Sequence, residues 1–120
     1  MIETHDHISS AFNNELFHLN NSLLEMGRTL ENMYEKSINA FDQKNDVASK
    51  EVISNDEKID DLENSIINQI QVLIAKRQPM AFDLRVLVGC TRIAGYMERI
   101  GDLISSCLLY TSDAADESVS

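Results

Sequence analysis

Residues 12–40 read FNNELFHLNNSLLEMGRTLENMYEKSINA, and their periodicity decides the architecture. Phe12, Leu16, Leu19, Leu23, Met26, Leu30, Met33, Ser37 and Ala40 step by alternating fours and threes. An average step of about 3.5 residues is the seam of a helix packed in a bundle or coiled coil. Asn13, Asn14, Glu15, Asn20, Asn21, Arg28, Glu31 and Lys36 fall between the seam positions, where water can reach them. The pattern predicts one helix from about His7 to Phe41. Gly27 costs it about 1 kcal/mol relative to alanine, too little to stop so long an element.

The polar run from Asp42 to Asn45 then reads as a turn, with Asn45 or Asp46 as N-cap of a second helix. That helix continues to about Arg77 and stops at Gln78-Pro79, because a residue preceding proline is pushed out of the helical region. Pro79 suits the start of a third helix, from about Met80 to Ser106. Connections this short make neighbouring helices antiparallel. With 4 Gly and 1 Pro in 120 residues there is little material for further turns, and no strand pattern or internal repeat competes. The expected fold is all-α, an elongated antiparallel three-helix bundle.

The chain carries 20 acidic and 10 basic residues, a formal charge of −10. Phosphate-binding surfaces are basic, so nucleic acid is not the expected partner. No apolar run approaches the roughly 20 residues of a membrane span, and Met1 to Ser10 lacks the basic-then-apolar order of a secretory signal. Two cysteines, Cys90 and Cys107, build no disulfide framework and fit a reducing cytoplasm. Beyond Ser106 the string from Cys107 to Glu117 resembles the conceptual translation of a sequencing adapter. The expected division is therefore a three-helix unit over 1–106 and a non-native tail over 107–120, with no seam continuing into the tail and a natural protein that extends further. Without Asp113, Asp116 and Glu117 the body keeps 17 acids against 10 bases.

Chemistry is concentrated where carboxylates interrupt the seams. On the second helix Ile53, Asp56, Asp60, Glu63, Ile67, Ile70 and Ile74 step by threes and fours. Asp56, Asp60 and Glu63 then share a sector of about 60°, inside the apolar arc with Ile59, Leu62 and Ile66 to one side. On the third helix Glu98 and Asp102 form an i, i+4 pair at the border of an arc that Phe82, Val86, Ile93, Met97, Ile100 and Ile104 are expected to fill. Gly101 between them removes bulk. Carboxylates from facing helices that converge on one position suit a hard divalent or trivalent cation. Without a cation, several buried carboxylates would be forced toward protonation. The alternative is a set of partly exposed acids paired with lysine or arginine at the seam edge.

Other groups say less. Arg85, Arg92 and Arg99 recur every seven residues, opposite the main apolar arc, as a solvated stripe or a docking surface for an acidic partner. His5 and His7 lie near the terminus, and His18 has no spaced partner. Cys90 falls among apolar positions as a small core residue. No glycine-rich phosphate loop, Ser-His-Asp set or zinc spacing is present, so catalysis is not expected. A carboxylate-bridged metal enzyme of the bundle type would add Glu-x-x-His pairs, and Glu15-Leu-Phe-His18 is the only such spacing.

The stretch Ile74-Ala-Lys-Arg-Gln-Pro-Met-Ala-Phe-Asp-Leu-Arg85 resembles the signature of the PhoU family of phosphate-regulation proteins. Glu98-Arg-Ile-Gly-Asp102 is similar to that family's following motif. Phe12 with Glu15-Leu16, Leu24-Glu25-Met26-Gly27 and Asp56 through Asp60-Asp61-Leu62-Glu63 match upstream, so the likeness spans about residues 8 to 106. It implies one of the two three-helix repeats usual in the family, and a cytoplasmic accessory protein rather than an enzyme. It further implies a negative regulator of the phosphate regulon and of phosphate uptake. The implied partners are a phosphate-sensing histidine kinase and the ATPase subunit of the phosphate ABC transporter, with a homodimer when full length. An accessory domain of another phosphate transporter is a related possibility. The family's acid-x-x-x-Asp motifs, which can hold iron or other metals, fall on Asp56 with Asp60 and on Glu98 with Asp102; Glu63 joins them by helical geometry.

Overall fold

A computed structural model describes the backbone of residues 2–43 and 46–119 and the side chains of residues 10–42 and 47–110. Three helices account for it: α1 (Ile2–Gln43), α2 (Asp46–Arg77) and α3 (Ala81–Val119). Each packs against the other two in an up-down-up bundle 74 × 18 × 17 Å. The bundle is all-α and antiparallel, as the periodicity predicts. Asn45, one of the two expected caps of α2, lies outside the described residues.

The core is a set of three strict heptads. Leu19, Met26, Met33 and Ala40 supply α1, and Val52, Ile59, Ile66 and Leu73 supply α2. Leu87, Ala94, Gly101 and Leu108 supply α3. A seven-residue repeat keeps one face of each helix on the common axis for its whole length. Phe12, Leu16, Leu23 and Leu30 pack beside the α1 row, so that seam is the one read from sequence.

Three expectations need correction. The α2 seam is centred on Ile59 and Ile66, one residue from the expected line, and Ile53 is exposed. Asp56, Asp60 and Glu63 are therefore half-buried on the flank facing α3 rather than inside the arc. On α3, Phe82, Val86, Ile93 and Ile100 stand exposed, because the faces turned to α1 and α2 are already taken by other residues. Finally, α3 does not stop at Ser106. It runs on to Val119, and Leu108, seven residues after Gly101, is buried. Among the described side chains beyond Ser106, Leu108 thus continues the seam by one step.

The α2–α3 turn is short. Gln78 takes a left-handed φ of 46° and its N–H donates to the Ile74 carbonyl at 3.0 Å, closing the end of α2. The Met80 carbonyl accepts the Leu84 N–H at 3.0 Å, so α3 begins just after Met80 and Pro79 lies outside it. Beside the turn, the Arg77 guanidinium grips the Glu15 carboxylate with two bonds, Nε to Oε2 at 3.2 Å and Nη2 to Oε1 at 2.9 Å. Lys76 adds a third contact at 3.6 Å. Lys36–Glu51 and Lys58–Glu25 make the remaining ion pairs, so every pair found among the described residues ties α1 to α2.

Candidate metal centre

The α2–α3 interface has the opposite electrostatics. Asp60 from α2 and Glu98 and Asp102 from α3 each aim a carboxylate oxygen at one place, the three lying within 4.8 Å of one another. They meet because α2 and α3 are antiparallel and because Gly101 lets the two backbones approach. A Cβ built on Gly101 would stand 3.3 Å from Ile59 Cδ1 and 3.4 Å from Asp56 Oδ1. Gly95 has a milder effect farther toward the start of α3, where a Cβ would meet Glu63 Oε2 at 3.7 Å.

All five acids singled out from sequence interact. Burial, followed by the charges of Asp102 and Asp60, pushes Asp56 up to about 6. One of its oxygens, Oδ1, is buried without a hydrogen-bond donor. Glu98 is pushed up to about 8, first because its protonated form donates to Asp102, then through burial and a similar bond to Asp60. Burial also raises Glu63, helped by Asp60 and Asp102. Glu63 stands at the edge of the group, outside the three-oxygen cluster, and Asp56 adjoins it through Asp102. Asp102 itself is exposed and the other four are half-buried, which leaves an approach from solvent.

No lysine or arginine among the described residues neutralises these acids. Among the described residues Asp56, Asp60, Glu63, Glu98 and Asp102 thus lack the lysine or arginine pairs of the alternative reading. A hard cation accepts oxygen ligands at about 2.0–2.6 Å, so oxygens up to 4.8 Å apart can share one. The donor set fits such an ion: all oxygen, several charges, and an orphaned buried carboxylate oxygen beside it.

The remaining sequence candidates lie elsewhere. Glu15, the acid of the lone Glu-x-x-His spacing, is held by Arg77 about 25 Å along α2 from Asp60, and His18 is exposed. Arg77 pulls the Glu15 carboxyl below the usual range. Helix periodicity gave no sign of this clamp, since its two halves are 62 residues apart. Cys90 is half-buried beside the core, where desolvation raises its thiol. His5 and His7 fall where side chains are not described. Arg85, Arg92 and Arg99 are all exposed.

The phosphate-specific transport system accessory protein PhoU homolog of Rhizobium meliloti (strain 1021) is 45% identical over 100 residues, covering 83% of this chain and 42% of the relative. The accessory protein PhoU of Serratia marcescens is 35% identical over 97 residues, with 81% and 40% covered. That of Escherichia coli (strain K12) is 34% identical over 97 residues, again with 81% and 40% covered. The chain thus spans about two fifths of the length of the curated relatives it matches. No solved structure matches it. The PhoU domain itself matches residues 23–110, from the middle of α1 across both carboxylate pairs, and the chain belongs to the PhoU family.

Proposed function

We propose that the chain belongs to a cytoplasmic regulator of phosphate homeostasis that restrains the phosphate regulon and phosphate uptake. It acts by binding, to a phosphate-sensing histidine kinase and to the ATPase subunit of a phosphate ABC transporter, and forms a homodimer when full length. The observation that carries this reading is kinship with proteins named as accessory to phosphate-specific transport. No helix among the described residues is long and apolar enough to cross a membrane, which suits a role exercised through protein partners. Nor does the sequence offer a nucleophile, base and oxyanion arrangement, so the reading assigns no turnover. Loss of the full-length gene is expected to release regulon expression in phosphate-rich medium. Continued repression after the deletion overturns the regulatory role.

The carboxylate cluster enters the proposal as a site for iron or another divalent or trivalent ion, held by Asp60, Glu98 and Asp102 with Asp56 and Glu63 in support. The ion would supply the positive charge that this interface lacks. Added Fe or Mn should raise the melting temperature, because a ligand that binds only the folded state stabilises it. Replacing Asp60 and Asp102 by Asn should abolish most of that shift while raising the stability of the metal-free chain. If the wild type ignores both metals, or the double variant is less stable without metal, the cation assignment fails.

A further inference from the structure

The inner row of α3 tapers at the carboxylates. Leu87, Ala94, Gly101 and Leu108 follow one another at heptad spacing, so side-chain bulk falls to nothing at 101 and returns one repeat later. The α2 row, Val52, Ile59, Ile66 and Leu73, keeps full side chains throughout. Ile59 is fully buried and takes up the space that Gly101 leaves. A Cβ at 101 would stand 3.3 Å from Ile59 Cδ1, tighter than ordinary contact, whereas Asp56 Oδ1 at 3.4 Å and Ile59 Cγ2 at 3.8 Å fall within it.

This contact lies inside the candidate centre. Ile59 immediately precedes Asp60, and Gly101 sits between Glu98 and Asp102, so α2 and α3 touch within three residues of every member of the three-oxygen cluster. One turn of helix or less separates the contact from each donor, and a shift of the backbones there is carried directly to the carboxylates. The other two glycines of α3 are less confined. At Gly95 a Cβ would meet only Glu63 Oε2, at 3.7 Å, and at Gly89 it would meet nothing within 4 Å. Glycine weakens a helix relative to alanine, so position 101 gives up helical preference for closeness.

We propose that Gly101 is a positioning residue for the cation centre: its missing side chain sets the spacing of α2 and α3 at which Asp60, Glu98 and Asp102 can share one ion. The inference rests on the cation reading above and deepens it, because it assigns the closure of the site to a residue that offers the ion no side-chain ligand. Such a residue acts through the ligands it holds in place, and losing an outer contact of this kind weakens a metal site by about tenfold or more.

The test measures Mn(II) alone, through the electron paramagnetic resonance signal of the free ion. It uses the whole chain well below its melting temperature, with circular dichroism to show that each variant is folded. Gly101→Ala should weaken Mn(II) binding about tenfold. Gly95→Ala should change it by less than about twofold, and Gly89→Ala should leave it unchanged. Ile59→Val removes Cδ1, the one atom closer than ordinary contact, so in the Gly101→Ala background it should return the affinity toward that of the wild type. A merely structural glycine would lower the urea midpoint of Gly101→Ala without moving the Mn(II) affinity of the folded chain, and that outcome overturns the proposal. So does an equal loss in all three alanine variants, or an affinity that stays lost when Ile59→Val is added to Gly101→Ala. A wild-type chain that binds no Mn(II) overturns the cation reading and this inference with it, whereas wild-type binding that Gly101→Ala leaves intact removes only the role of Gly101.

Discussion

Glu98 and Asp56 hold protons that ordinary carboxyls have lost, at about 8 and about 6, and Asp102 is in contact with both. Their folded-state values lie above the unfolded ones, so the folded chain takes up protons first as pH falls. The cost of crowding these charges is therefore fully present above about pH 8 and is relieved as the pH drops through 8 and then 6. Glu15 works in the other direction. Arg77 lowers its value, so its stabilisation is complete above the usual carboxyl range and is lost only when the pH falls through the lowered folded value. The metal-free chain should melt at a higher temperature near pH 5.5 than near pH 8.5, and lose stability again in stronger acid. Asp102→Asn should raise the melting temperature at the alkaline end and flatten the slope between the two. A wild-type profile that instead rises from about pH 5.5 to 8.5 in chelated buffer would mean the cluster is not crowded. The identities of these acids were legible from their spacing of three and four. Their mutual contact was not, because it depends on the register between α2 and α3, which no pattern within one helix fixes.

At the scale of the element, α3 shows what periodicity reveals and what it leaves out. The α1 row from Leu19 to Ala40 was legible because its neighbours on the bundle face are apolar too. On α2 the acids at 56, 60 and 63 keep a seam's spacing and drew the line one residue away from Val52, Ile59 and Ile66. On α3 the inner row contains Ala94 and Gly101, small residues that count weakly as apolar, while the large side chains of Phe82, Ile93 and Ile100 point outward. Sequence records that a residue is apolar but not what covers it. Gly89 and Gly101 make opposite demands on the same helix. Gly89→Ala adds a methyl group in open space and should stabilise the helix by about 1 kcal/mol. Gly101→Ala gains the same helical preference, but its methyl group meets fully buried Ile59 and the orphaned oxygen of Asp56. Strain of about 1–3 kcal/mol should outweigh that gain and lower stability. Urea midpoints distinguish the two cases, and equal gains at both sites would show that the close approach of α2 and α3 at Gly101 is not required.

For the whole molecule, the distribution of charge sets α3 apart, because every ion pair found among the described residues joins α1 to α2. Ion pairs fasten α1 to α2 at Lys36, Lys58 and Arg77, whereas α3 meets α2 through the carboxylate cluster and depends on apolar contact to stay docked. Such a helix is sensitive to the length of its heptad row. Leu108 extends the row by one full repeat beyond Gly101, with only 8% of its surface exposed, whereas Leu109 and Tyr110 next to it stand in solvent. Sequence concealed this: the likeness of the string from Cys107 to Glu117 to a translated adapter sets the segment apart as a tail, and the step of seven from Gly101 to Leu108 starts from a residue with no side chain to count. Deleting 107–120 should therefore lower the thermal midpoint by several degrees, since burying one leucine contributes about 1.5–3 kcal/mol. Leu108→Ser in the intact chain should reproduce most of that loss, and Tyr110→Ser almost none. Added metal should shrink the effect of the deletion, because a cation shared by Asp60, Glu98 and Asp102 would dock α3 from the middle of the bundle instead of its end. A midpoint that stays put when 107–120 is removed would show that α3 is already secured by Leu87, Ala94 and Gly101, and that Leu108 rests on the bundle without holding it.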